Sequence, residues 1–334
     1  MKIKDLLSGM RFQMPQNVAN MAVLPIVSDR EIDELSSEMV FQIVKDTDYS
    51  RLTLENVGDK PVIVPQGTKF VTGSKGQDRT VLSSTVIKPQ EKKEMNVGCI
   101  QPSETSHIKL GKMEFSFIPA RLRVPAILGQ ESGSCSVLWK DIEKYLKDIG
   151  IRGNTMEQFY KSFDKELKEF VAQFEPVEKQ LGAVIMINNE VAGIEVYPNY
   201  GSWRKIWRLL IRDSYGADAL TLIKANKIMC YKPVIDSDKV STTKDIISQV
   251  LGIKANFVSF MNQKIEPFLE QEVEMTEKEV SSGFKVYNLR SPNLLGQAII
   301  RTEGNKIVYI SLLRADDVPH VQPEHEDDED DDDY

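Results

Sequence analysis

The sequence predicts an α+β protein. An antiparallel, β-rich, sandwich-like half comes first, then a helical connector, then a smaller α+β half. Two observations carry this. Up to about residue 133, short runs of β-branched and apolar residues recur with turn signals between them. From Ser134 the apolar spacing changes from alternation to steps of three and four. The expected divisions are a β-rich domain over 1–133, a connector over 134–180, an α+β domain over 181–318 and an acidic tail over 319–334.

In the first half, Leu24–Val27, Met39–Val44 and Val62–Val64 read as strands. Arg51–Asn56 alternates at period two, as a half-buried strand does. The polar turn Asn56–Pro61 precedes Val62, and Thr80–Ile87 and Met95–Ile100 follow as further strands. In the connector, Trp139, Ile142, Leu146 and Ile149 lie at helical spacing. So do Met156, Phe159, Phe163, Leu167, Phe170 and Phe174, a stripe that reads as core packing rather than a cofactor box. Leu181–Ile187 and Val191–Tyr197 form a hairpin about Asn188-Asn189-Glu190. Ser202 is the expected N-cap of one helix over Trp203–Ala225. Thr242 and Asp245 make a capping-box pattern for a second helix, with Gly252 its expected stop. Phe257–Ile265 looks helical up to Pro267, Glu270–Glu279 is acidic and exposed, and Leu295–Arg301 with Lys306–Leu312 closes the chain as a hairpin.

Composition narrows the function classes. No apolar run is long enough to span a bilayer, so no membrane partner is expected. Three widely spaced cysteines and no apolar leader core point to a reducing, cytoplasmic setting. The net charge is -8, and nine acidic residues lie in Glu324–Asp333; without them the body is at +1, with no basic field for nucleic acid. The tail is expected to be disordered, since a run of like charge repels itself. It reads as a solvated solubility tag, or as a mimic of nucleic-acid charge or an address for a basic protein partner.

Phosphate-loop, dinucleotide, zinc-protease, Cys-x-x-Cys and nucleophile-elbow motifs are all absent, and the three histidines give no metal centre. The sequence identifies no particular cofactor. The best candidate is Gly73-Ser74-Lys75-Gly76-Gln77-Asp78-Arg79-Thr80. Its glycines permit a tight turn whose N–H groups can form an anion nest. Lys75 adds a point charge and Arg79 a planar fork for phosphate or carboxylate. Gln77 donates and accepts, and Asp78 can orient the cations or act as a base. The same residues also suit an ordinary polar hairpin. A second candidate is the stripe Arg204, Arg208 and Arg212, spaced by four on one helix face; it reads first as a solvated basic face and second as a phosphate grip. Asp218 is expected to pair with one of these arginines.

These residues carry a resemblance. The chain resembles the ARG and Rhodanese-Phosphatase-superfamily-associated protein domain family, where ARG stands for ADP-ribosylglycohydrolase. The matching segments are Asn56–Gly67 with Gly73–Thr80, then Val137–Ile142, then Gly182–Val184 through Gly193–Tyr197 with Trp207, Leu210, Tyr215, Asp218 and Ala219. Leu295–Ala298 fits too, so the resemblance covers roughly residues 20–315. One departure follows Cys99: Gln101 stands where the family has an acidic residue, and the Gly-Arg-Trp element is missing.

The resemblance implies a phosphate-bearing, nucleotide-derived small molecule such as ADP-ribose. It would be held by Gly73, Lys75, Gln77 and Arg79, with Arg204 or Arg208 assisting, at the junction of the two halves. A hydrolase or transferase using Asp78 or Glu104 as acid or base is the first alternative. A regulator acting through the acidic tail is the second.

Overall fold

A computed structural model describes residues 1–315 apart from 31, 49, 72–77, 101–109, 112–113, 132–135, 230–234 and 282. The strands are β1 (Arg11–Phe12), β2 (Gln16–Val18), β3 (Met21–Val27), β4 (Phe41–Asp48), β5 (Arg51–Asn56), β6 (Val62–Val64), β7 (Thr68–Val71), β8 (Arg79–Val81), β9 (Thr85–Ile87), β10 (Lys92–Cys99) and β11 (Glu114–Phe117). After the helical region come β12 (Gln180–Ile187), β13 (Glu190–Val196), β14 (Glu274–Ser281), β15 (Phe284–Ser291), β16 (Leu294–Arg301) and β17 (Lys306–Arg314). The helices are α1 (Ile3–Leu6), α2 (Ala120–Glu131), α3 (Ser136–Lys147), α4 (Met156–Val171), α5 (Tyr200–Leu209), α6 (Ala217–Lys224) and α7 (Thr243–Leu269). A π-helical turn, Leu210–Gly216, joins α5 to α6.

The fold is α+β, with antiparallel sheets before the helical middle and strands again after it. Among the described residues the largest sheet has nine strands, in the order β1-β3-β12-β13-β17-β16-β15-β14, with β2 also on β3. Strand β12 is buried along its whole length because both its faces are covered. Side chains alternate across a strand, so Ala183, Ile185 and Ile187 join one core while Val184 and Met186 join the other. The first core meets α5 and the π-helical turn; the second meets α1 and α7. Because β1–β3 pair into this sheet beside β12, residues 1–133 supply strands to both sheet systems.

The second sheet runs β11-β7-β8-β10-β5-β4, and β6 and β9 pair separately. Phe41, Leu52, Leu54, Val62, Val64, Phe70, Val81 and Ile87 share one core, which packs the small ribbon on this sheet. The aromatic stripe is core packing: Met156, Phe159, Leu167, Phe170 and Phe174 are buried.

Three helix expectations change. The N-cap of α5 is Asn199, whose side chain accepts from the Ser202 N–H at 2.8 Å, so the helix starts earlier than Ser202 implies. It does not run unbroken to Ala225 but passes through the π-helical turn. The capping box at Thr242 and Asp245 is present, yet α7 continues through Gly252 to Leu269. An interior glycine costs about 1 kcal/mol against alanine, which weakens a long helix without ending it.

The two sheet systems are pinned by a buried polar network. Arg123 of α2 is fully buried and pairs with the fully buried Glu195 of β13, Nη1 to Oε1, at 2.6 Å. Arg123 Nη2 donates to Ser311 at 2.6 Å, and its Nε donates to Gln66 at 3.1 Å. Tyr215 donates its hydroxyl to Glu195 at 2.9 Å. Burial alone would lower the Arg123 pKa, but the Glu195 carboxylate outweighs it and the value is raised. Gly67 sits against this guanidinium at φ +82°, where an added Cβ would lie 2.6 Å from Arg123 Nε. Gln297 of β16 ties in Ser84, accepting from its N–H at 2.6 Å.

Candidate functional site

Strand β7 presents alternate side chains to opposite sides of its sheet. Phe70 enters the core, while Lys69 and Val71 line a cleft of about 760 Å³. The opposite wall comes from Glu157, Tyr160, Lys161 and Asp164 of α4 and from Leu209, Arg212 and Asp213 at the end of α5 and in the π-helical turn. Glu114, Phe115 and Ser116 of β11 line it too, as does Asp78, just before β8. Val71 and Asp78, the described residues on either side of 72–77, both line this cleft.

Lys69 is the distinctive group. It is 5% exposed, and its Nζ lies 4.1 Å from the centroid of the Tyr160 ring. Among the described residues no acceptor hydrogen-bonds to that amine. Burial lowers its pKa from the ordinary 10.5, opposed chiefly by the charges of Asp78 and Asp213. The ring face attracts the charged form, which keeps the amine centred over Tyr160. Burial pushes the Tyr160 hydroxyl well up, so it stays protonated; its one proton lies between the Phe117 carbonyl at 3.0 Å and the Asp213 carbonyl at 2.9 Å.

The π-helical turn explains the far wall. A turn with an extra residue re-aims side chains, and such turns are common at functional sites. Asp213 is fully buried, accepting from Arg212 Nε at 2.5 Å and Nη2 at 3.0 Å, and from the Ser116 hydroxyl. Arg212, part exposed, therefore sits on the cleft with its guanidinium held in place by its own neighbour.

The expected site residues divide. Asp78 is 5% exposed and lines the cleft. Arg79 does not line it: it pairs across the sheet with Phe70, cross-strand partners share a face, and its side chain is buried on the side opposite Lys69. Arg204 and Arg208 are exposed on α5 outside the cleft, Arg204 lying 5.6 Å from the Tyr200 ring. Of the arginine stripe, Arg212 alone reaches the site. Asp218 pairs with Arg121, not with that stripe: it accepts from the Arg121 N–H at 2.8 Å, and Arg121 Nε lies 3.8 Å away. Gly73, Lys75, Gln77 and Glu104, with the acidic tail, lie outside the described residues. Among the described residues no group of three His, Cys, Asp or Glu is placed to hold a metal, and no helix is long and apolar enough to cross a membrane.

Sequence reasoning did not single out Lys69, Ser116, Tyr160 or Asp213. Many of the motif residues it did single out hold the fold. Glu195 and Gln297 belong to the buried network, and Asn56 donates to the Lys60 and Ile87 carbonyls. Trp139 donates its indole N–H to the Cys99 carbonyl at 2.7 Å. A groove of similar volume between α7 and the β1–β2 region is lined by Phe12, Met14, Leu24, Val258 and Met261, and none of the expected site residues touches it.

A family model for the ARG and Rhodanese-Phosphatase-superfamily-associated Protein domain matches residues 9–251. No curated protein matches, and no solved structure matches.

Proposed function

The chain belongs to that family, and from this premise we propose that its cleft binds a phosphate-bearing, nucleotide-derived ligand of the ADP-ribose type. The supporting observation is the buried Lys69 amine, without an acceptor among the described residues, at a cleft that Val71 and Asp78 also line. A buried cation lacking a hydrogen-bonding counter-charge is costly in the free protein, and an anionic ligand removes that cost.

Arg212, paired with Asp213, and Lys161, paired with Glu157, are the further cations on the opposite wall. The wall also carries carboxylates. Glu157 is occupied by Lys161 at 2.6 Å and Asp164 by Lys168 at 2.6 Å. Carboxylates accept from sugar hydroxyls as cations bind phosphate, so a mixed wall suits a ligand carrying both.

Thermal denaturation with ADP-ribose, ADP, ribose 5-phosphate and adenosine tests this. The phosphate-bearing compounds should raise the melting temperature and adenosine should not. No shift with any of them would refute the proposal.

A further inference from the structure

We propose that the Lys69 amine condenses with the aldehyde of a phosphate-bearing sugar, so that the cleft holds its ligand as an imine. This rests on the reading of the cleft as a site for a nucleotide-derived ligand. A nucleotide sugar with a free anomeric carbon exposes an aldehyde in its open-chain form, whereas the parent nucleoside diphosphate has none.

The geometry sets Lys69 apart. Lys2, Lys4, Lys161, Lys168 and Lys179 are exposed and each is held by a carboxylate. Lys69 is nine-tenths buried, backed by the Tyr160 ring, fixed by a strand whose next residue is locked in the core, and open on the cleft. Desolvated amines in such slots are the ones that act as nucleophiles, because burial favours the neutral form.

The step balances without a further reactant. One proton passes from the ammonium through solvent in the open cleft to Asp78, whose charge acts on Lys69 without a hydrogen bond to the amine. The freed lone pair attacks the carbonyl carbon, a C–N bond forms, and the C=O π pair moves to oxygen. After proton transfer from nitrogen to that oxygen, Asp78 returns its proton to the hydroxyl. Water leaves and the C=N bond forms. The products are a protonated imine, one water and the Asp78 carboxylate. Nothing is oxidised or reduced.

The test is reductive trapping on the full chain: ADP-ribose with sodium cyanoborohydride at neutral pH, followed by peptide mass mapping. One dominant adduct on the peptide containing Lys69 is expected. It should exceed that on any exposed lysine, since burial raises the neutral fraction of the Lys69 amine. Excess ADP should suppress it, and Lys69→Arg should remove it. The wild-type map stands even if that variant fails to fold. Adducts spread over surface lysines with Lys69 unmodified, while ADP-ribose still raises the melting temperature, would overturn the imine and leave the binding proposal intact. A Lys69 adduct formed equally well by glyceraldehyde, with no protection by ADP, would uphold the imine and overturn the phosphate-bearing ligand.

Discussion

Lys69 and Tyr160 meet face-on across the cleft, the amine 4.1 Å from the ring centroid, while the Tyr160 hydroxyl is turned away to the carbonyls of Phe117 and Asp213. One side chain thus does two jobs: its ring backs the amine and its single hydroxyl proton serves the two carbonyls between them. Tyr160→Phe separates them. It should lose about 1–3 kcal/mol of stability in urea unfolding, from unsatisfied carbonyls, and leave ADP-ribose affinity within about twofold. A large loss of affinity without loss of stability would show that the hydroxyl itself meets the ligand.

Arg123 and Glu195 form a fully buried ion pair, so breaking it leaves a lone charge in the interior. Arg123→Met or Glu195→Gln should each destabilise by about 3–5 kcal/mol. Arg123→Met combined with Glu195→Gln should cost less than the two single losses summed, because neither charge is then stranded. Additive losses in a denaturant double-mutant cycle would mean the pair is not coupled.

Asp218 gives a pH signature. Burial pushes its carboxyl up to about 6 from the ordinary 3.8, against the pull of Arg121. The folded state therefore holds this proton more tightly than the unfolded state. Its contribution is full below about pH 3.8 and is lost as pH rises through about 6. Measured against Asp218→Asn, the wild type should lose up to about 3 kcal/mol of relative stability between these limits. Parallel stability–pH curves for the two proteins would contradict this.

Arg212 and Arg208 stand one helical turn apart in sequence, but only Arg212 lines the cleft. Arg208→Ala should bind ADP-ribose like the wild type. Arg212→Lys keeps a charge beside Asp213 but loses the fork, and should weaken binding about tenfold or more in calorimetry, the worth of one charge-assisted hydrogen bond. Equal weakening by both would place the ligand on the outer face of α5.

Strong periodicity made much of the fold legible. The hairpin β12–β13, the stripe on α4 and the capping box of α7 all follow from local pattern. Helix α2 did not, because Pro125 lies inside it and blurs the helical signal. The π-helical turn did not, because its apolar residues keep helical spacing while the hydrogen bonding shifts by one. Of the Gly73–Thr80 segment, Asp78 lines the cleft while Arg79 turns to the other face, since strand phase there depends on pairing with Phe70. Lys69 was silent: a lysine in Thr68-Lys69-Phe70-Val71 looks like any outward strand residue until α4 packs across it.

The most direct test is calorimetric titration of ADP-ribose into the wild type and Lys69→Met. Methionine matches the lysine stem in volume and removes the buried charge, so the free variant should melt at or above the wild-type temperature. Binding to the wild type with affinity weakened at least about tenfold in the variant is the predicted result, from losing a charge-assisted contact. Wild-type affinity in Lys69→Met, or no binding by the wild type, would contradict the assignment of this cleft as the ligand site.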